Sequence, residues 1–264
     1  ALSKISNGIV IDVGGTTSDG GVFVNYCHRE STQYAQIGGV RTNFRMPDVV
    51  AVGIGGGTTI RIQKEHCQLG PDSVGYQLKE KGIAFGGNVL TISDVFIAEE
   101  QLHITGASRS EILKKEISKV MNLPYERILQ KVKETIQIAI EKLVDTLKTD
   151  GKDIPVIACG GGAFLLPQKI AGASKVVFPE HMEVANAFGA CIAQISSEEE
   201  IVINTIQKNE KNELNNLLEK VTTNLLQKGA LASSIDVLMK ESTPLAYLPG
   251  AVKLKVKLCG DFIS

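Results

Sequence analysis

The stretch Asp12-Val-Gly-Gly-Thr-Thr-Ser-Asp19 holds the densest set of reactive groups in the chain. Gly14 and Gly15 permit a tight turn that exposes backbone N–H groups. Thr16, Thr17 and Ser18 add hydroxyl donors, and together these groups form a cradle for phosphate oxygens. Asp12 and Asp19 flank it as acceptor-only carboxylates, suited to hold a magnesium ion partly through water. Asp12 is therefore the candidate metal ligand and catalytic residue. The same residue types also build a plain hairpin turn with solvated aspartates, and both readings stand at this level. Two further glycine nodes follow. In Gly53-Ile-Gly-Gly-Gly57, residues Gly55, Gly56 and Gly57 are candidates for close approach to a phosphate or substrate, or for a strand turn. In Cys159-Gly-Gly-Gly162, residues Gly160, Gly161 and Gly162 offer bare backbone to a planar base or ribose, or simply a strand-to-helix turn.

Other candidates are more ambiguous. Asp72 and Ser73 follow Pro71, which suits a type I turn or a substrate wall. Asp94 ends Thr-Ile-Ser-Asp, a helix-capping pattern, with a metal or catalytic role as the rival. Arg41 and Arg45 can pair with an anionic substrate or with surface carboxylates. Cys159 reads as a buried small hydrophobe rather than a nucleophile. No G-x-x-x-x-G-K-[ST] occurs, and Thr58 stands where G-x-G-x-x-G needs its last glycine, so P-loop and Rossmann sites are disfavoured.

Elements must deliver these residues. Gly8-Ile-Val-Ile11 and Ile154-Pro-Val-Ile157 are short apolar runs that end at glycine nodes, as buried strands do. Gly21-Val-Phe-Val24 is the returning strand of a hairpin, and Val49–Val52 and Thr58–Ile62 form a strand pair around the second node. Ser108 with Glu111 makes a capping box for a helix to Asn122. From Pro124, Ile128, Val132, Ile136, Ala139, Leu143 and Leu147 recur at three- and four-residue steps, predicting a long amphipathic helix. Short helices are expected over 163–171 and 184–195. Ser196-Ser-Glu-Glu-Glu200 reads as a linker or cap, followed by a helix over 210–228 and strands over 234–240 and 252–258. The strict alternation over 252–258 gives that last strand one wet face. The expected organisation is 1–199 as one domain and 200–264 as a small α+β appendage.

Composition narrows the class. With 43% apolar and 22% charged residues, a sizeable core is available and disorder is disfavoured. The formal net charge of −1 argues against a nucleic-acid binder. The 5 cysteines contain no C-x-x-C and the 4 histidines no H-x-x-x-H, so disulfide scaffolds and zinc sites are disfavoured and a reducing cytoplasm fits. No apolar run approaches the roughly 20 residues that cross a membrane.

The order strand–Asp–Gly-Gly-Thr hairpin, long helices, strand–Gly-Gly-Gly resembles the actin-like, sugar-kinase and heat-shock ATPase superfamily. A closer resemblance, to the hydantoinase A/5-oxoprolinase family, is carried by more segments. These are Gly39-Val-Arg-Thr-Asn-Phe-Arg-Met-Pro-Asp48, Gly53-Ile-Gly-Gly-Gly57, Gly70-Pro-Asp-Ser-Val-Gly75, Phe85-Gly-Gly-Asn-Val-Leu-Thr-Ile-Ser-Asp94, Val184-Ala-Asn-Ala-Phe-Gly-Ala190 and Pro244-Leu-Ala-Tyr-Leu-Pro-Gly250. The resemblance implies an α/β fold, an actin-like (ribonuclease H-like) half-core with the α+β appendage. It implies ATP and Mg2+ as cofactors and ATP-dependent opening of a cyclic amide or imide such as 5-oxoproline or a hydantoin. It also implies that the chain corresponds to the second half of the family's core. The first half, or a partner subunit, is then an expected partner, with a homo-oligomer open. Rival readings are a small-molecule kinase of the same superfamily and a non-catalytic nucleotide-binding or assembly module.

Overall fold

A computed structural model describes residues 3–29, 36–37, 40–41, 47–64, 66–191, 193–246 and 248–262, without the side chains of 27, 36, 37, 40 and 41. The chain divides into two compact units, Ala1–Ala185 and Asn186–Ser264.

In the first unit, β1 (Gly8–Val13), β2 (Ser18–Val24) and β3 (Cys27–His28) form an antiparallel meander. A separate two-stranded pair, β4 (Gln36–Ile37) and β5 (Val40–Arg41), follows. Next, β6 (Val49–Val52) pairs with β2, and β7 (Thr58–Gln63) with β8 (His66–Ser73). Helices α1 (Leu78–Lys81), α2 (Ile92–Ala98), α3 (Ser110–Met121) and α4 (Tyr125–Leu147) lead to β9 (Ile154–Cys159) and β10 (Ala173–Val177). The main sheet runs β10-β9-β1-β2-β3, with β9 parallel to both β1 and β10. An antiparallel meander extended by parallel strands on the side of its first strand is the actin-like half-core expected from the sequence.

Ile9, Ile11 and Val13 of β1 and Val156 and Ala158 of β9 are fully buried; within each strand they alternate and so lie on one face of the sheet, while Val10 and Asp12 on the other face of β1 are half-buried. The cover of the buried face includes α4, whose Ile128, Val132, Ile136, Ile140, Leu143, Val144 and Leu147 form one buried face. Each such aliphatic side chain contributes about 1.5–3 kcal/mol when removed from water. The helix packs against β2, β6 and β8 and thereby clamps the hairpin strand to the rest of the unit.

Several expectations are corrected. Strand β6 pairs with β2 rather than with β7, so the second glycine node links two different pairings. Ser108 caps nothing: α3 starts at Ser110, and the Ser108 amide donates to the Ala84 carbonyl at 2.7 Å. The short helix after the third node is one turn, Ala163–Leu165, because Pro167 forces Leu166 into an extended conformation.

Helix α5 (Ala185–Cys191) precedes the elements of the second unit, where β11 (Ile195–Asn204), α6 (Glu210–Gln227), β12 (Asp236–Pro244) and β13 (Ala251–Gly260) follow. The sheet order is β11-β13-β12, all antiparallel, with α6 on the face carrying Leu254, Val256 and Leu258. Residues 196–200 are thus strand rather than linker. Glu198 pairs with Lys255 at 2.5 Å, and Lys255 is only 5% exposed, so the expected wet face of β13 is closed over by ion pairs. No helix among the described residues is long and apolar enough to cross a membrane.

Candidate functional site

The β1–β2 hairpin turns at Gly14–Thr17, closed by the Gly14 amide donating to the Thr17 carbonyl at 2.8 Å. The register pairs Asp12 with Asp19, which puts both carboxylates on one face of the hairpin. Thr17 Oγ1 donates to Asp19 Oδ2 at 3.0 Å. Gly15 and Thr16 are exposed at the tip.

The second node lies directly behind this turn. The Gly56 amide donates to the Gly14 carbonyl at 3.0 Å, and the Gly57 amide to the Gly15 carbonyl at 2.6 Å. In a trans peptide, the N–H that follows a carbonyl points the opposite way. The Gly15 and Thr16 amides are therefore turned away from the second node, as a phosphate cradle requires. Gly55 makes this approach possible: a Cβ there would lie 2.5 Å from the Thr16 nitrogen and 2.7 Å from the Gly14 oxygen. Ser18 Oγ anchors the same loop by donating to the Ile54 carbonyl at 2.6 Å, and the Gly55 amide donates to Thr58 Oγ1 at 2.8 Å. Gly55, Gly56 and Gly57 are buried. They form the floor that sets the turn, the turn role that the sequence allowed beside close approach to a phosphate or substrate.

The third node flanks the hairpin on its other side. Strand β9 lies beside β1 with Cys159 opposite Asp12. Gly160 has φ +88°, and any Cβ there would collide with Asp12 Oδ1 and the Val13 carbonyl. Only glycine therefore lets the Asp12 carboxylate rest against this loop. The Gly162 amide donates to the Val13 carbonyl at 2.8 Å, while Gly161 is exposed with open space on its outer side. Burial first, and the Asp12 charge second, push the Cys159 thiol up to about 12. It stays protonated at neutral pH, which removes it as a nucleophile.

Ser73 joins the rim. Its Oγ donates to the Gly15 carbonyl at 3.3 Å and lies 3.5 Å from Thr16 Oγ1. Neighbouring Asp72 instead forms an exposed ion pair with Arg61. Arg41 belongs to β5, and its side chain is outside the described residues, as is Arg45. Asp94 is corrected outright as a catalytic candidate. It is fully buried and forms a reciprocal capping box with Thr91. It accepts from the Thr91 amide at 2.8 Å, Thr91 Oγ1 at 2.7 Å and the Ala84 amide at 2.7 Å. The sequence reading missed Ser93, whose amide holds the Gly56 carbonyl at 2.9 Å and ties α2 to the floor. No residue pattern signals a backbone contact of that kind.

Among the described residues, no group of three or more His, Cys, Asp or Glu side chains is assembled around a common point. An ion here would rely on Asp12 and Asp19 together with phosphate and water oxygens, the donor set that magnesium commonly takes. The hairpin face fits that demand.

The Hydantoinase/oxoprolinase family model matches residues 1–199. Two solved structures share the fold. One is of acetone carboxylase in its nucleotide-free form, described under ATP-dependent acetone carboxylation, with TM-score 0.70 and 16% identity over 98% of this chain and 47% of that one. The other is ATP-dependent caprolactamase from Pseudomonas jessenii, with TM-score 0.70 and 17% identity over 98% of this chain and 47% of that one. The chain thus spans about half the length of either structure. No curated protein is significantly similar to it. The hairpin, its glycine floor and the flanking third node all fall within the matched residues, and the chain belongs to the hydantoinase/oxoprolinase family.

Proposed function

We propose that this chain supplies one nucleotide-facing half of an ATP-dependent enzyme that opens a cyclic amide or imide. The observation that carries the reading is the convergence of the hairpin and the third glycine node on Asp12 at the ends of β1 and β9. In this reading the Gly15 and Thr16 amides and the Thr16 hydroxyl hold phosphate oxygens, joined by the Thr17 hydroxyl where it turns from Asp19, with Gly14 shaping the turn. Asp12 and Asp19 hold Mg2+, which supplies neutralisation of the charge that develops during phosphoryl transfer. Gly160, Gly161 and Gly162 give their bare backbone to the base or ribose, and Ser73 faces the substrate side.

The chemistry explains the use of ATP. A lactam carbonyl is a poor electrophile. Its oxygen attacks the γ-phosphorus and ADP leaves. Water then adds to the carbon, the ring nitrogen departs with a proton, and a second water releases phosphate from the acyl phosphate. The residues of this chain contribute placement and charge stabilisation. The other wall of the nucleotide cleft is proposed to come from other parts of the same protein or from a partner subunit. The twofold greater length of the fold relatives supports this.

A thermal shift of the chain with Mg-ATP and Mg-ADP tests the reading. Nucleotide at 100 times its dissociation constant adds about 2.7 kcal/mol. The expected shift disappears in Asp12→Ala and Thr16→Ala, whose unliganded melting temperatures stay close to that of the parent. No shift with millimolar nucleotide overturns nucleotide binding by this half. Lactam-dependent phosphate release, measured with the remaining half supplied, tests the reaction, and release driven instead by hydroxylated acceptors would make it a kinase.

A further inference from the structure

Tyr76 is 95% exposed, more than any other large apolar or aromatic side chain among the described residues. A lone exposed ring on an ordinary surface needs no explanation. What sets this one apart is the segment that carries it. Tyr76 sits in a single helical turn, Gly75–Gln77, between β8 and α1. The Val74 amide pins the start of that turn by donating to the Gly57 carbonyl at 2.9 Å, and the Val74 side chain is buried. The Gln77 amide donates back to the Val74 carbonyl at 3.0 Å. The Gly75 amide donates to Ser73 Oγ at 3.1 Å, and that hydroxyl donates in turn to the Gly15 carbonyl. The turn is therefore fastened both to the glycine floor and to the tip of the hairpin.

It also lies close to the cradle. Gly75 has φ +53°, and a Cβ there would stand 3.8 Å from Thr16 Oγ1. The Tyr76 Cα follows about 3.8 Å further along the chain. A fixed support thus holds an uncovered aromatic ring at the edge of the hairpin tip. A ring left in water forfeits the gain of burying it. A tyrosine on a fixed support has only two side-chain torsions to lose when something covers it, so it is a ready contact surface. Its place selects the ligand. The turn hangs on Gly57, whereas the third glycine node flanks the hairpin from the β9 side. Tyr76 is therefore away from the loop assigned to the base or ribose and beside the phosphate end of the site.

We propose that Tyr76 is a specificity-determining residue: its ring stacks on the flat ring of the molecule to be phosphorylated and so favours cyclic over open-chain amides. The proposal deepens the function read above and rests on it, since the ligand is the acceptor of the phosphoryl group. The contact is carried by ring faces and needs no charge on the ligand. Offset stacking of flat rings adds to the burial of their area, and an open-chain amide offers no ring to stack.

The chain contains no tryptophan, so Tyr76→Trp keeps a stacking ring and introduces a single indole whose fluorescence reports on it. The full chain carrying this change is titrated in Mg-ADP with 2-pyrrolidinone and with N-ethylacetamide, an open-chain amide of the same carbon number. A saturable change is expected with the lactam, at a concentration at least tenfold lower than with the open-chain amide. In lactam-dependent phosphate release, with the remaining half supplied, Tyr76→Ala is expected to raise KM about tenfold and to leave kcat within twofold. Tyr76→Phe and Tyr76→Trp are expected to keep the parent KM, a rescue by aromatic residues that a merely structural role would not produce. The side chain is exposed, so none of these changes threatens the fold. An indole that ignores the lactam even at tens of millimolar, equal response to the two amides, or an unchanged KM in Tyr76→Ala would each overturn the proposal. Loss of assembly with the remaining half in Tyr76→Ala would make the ring a protein contact and overturn it as well. The Mg-ATP thermal shift separates the two layers. A normal shift with a silent indole rejects the role of Tyr76 alone, and absence of any shift rejects the nucleotide reading on which that role rests.

Discussion

Thr59 and Thr91 face each other across a single antiparallel bridge, yet their side chains have opposite fates. Thr91 and Asp94 satisfy one another and draw in the Ala84 amide, so both side chains are paired. Thr59, on the strand that leads away from the glycine floor, has a buried hydroxyl with none among the described residues. The same contrast runs through the site. The carbonyls of Gly14 and Gly15 are consumed by the floor, while the amides on the other side of those peptides are left for something else. Satisfied polar groups build the scaffold, and unsatisfied ones point to where a ligand belongs. An aspartate that looks catalytic by type can thus be a helix cap, while an inconspicuous threonine is the buried side chain left without a partner among the described residues.

The satisfied side breaks most dramatically. Asp94→Ala leaves the Ala84 and Thr91 amides buried without an acceptor and deletes a helix cap, at about 3–5 kcal/mol in urea denaturation. The variant is expected to bind nucleotide normally wherever it remains folded. Burial, outweighing the hydrogen bonds, holds the Asp94 carboxyl above its ordinary value of 3.8. The unfolded chain therefore loses that proton first. The stability contributed by the protonated form is full below pH 3.8 and is lost as pH rises through the folded value. Asp94→Asn should abolish this part of the pH dependence.

The floor sharpens the contrast from the other direction. Gly55→Ala drives a methyl group into the backbone of the hairpin turn, which has no flexible end to yield. The expected cost is about 2 kcal/mol, together with loss of the nucleotide-induced thermal shift. Gly53→Ala is the internal control, since its added methyl meets nothing within 4 Å. Equal effects of the two changes would show that the floor does not set the turn.

These differences explain what could be read in the chain beforehand. The Asp12–Asp19 hairpin, the strands before the first and third nodes and the long helix α4 are local patterns, and local patterns are visible in sequence. Pairing is not: β6 joins β2 because α4 clamps them together, not because of anything within Val49–Val52. Residues 196–200 look like a polar linker until Lys253, Lys255 and Lys257, more than 50 residues on, supply the opposite charges that make them a strand. For Asp94, the residue type allowed two roles, and only the burial of its carboxylate among N–H and O–H donors decides between them. Thr59 gave no signal because an orphan hydroxyl is defined by its surroundings.

The smallest expected effect is also the most discriminating. Thr59→Val replaces a hydroxyl by a methyl group of nearly the same shape. If the hydroxyl is an orphan in the empty protein, its burial carries a penalty, and removing it should raise stability by about 1 kcal/mol. For a unit of this size that is roughly 2–4 °C in melting temperature. Ordinary buried polar residues behave the other way, because their removal strands a partner. Thr91→Val, across the bridge, is expected to lower the melting temperature for that reason, since it withdraws the hydroxyl from Asp94. Opposite signs for two identical substitutions in facing residues would mean that stability has been given up at Thr59 and not at Thr91.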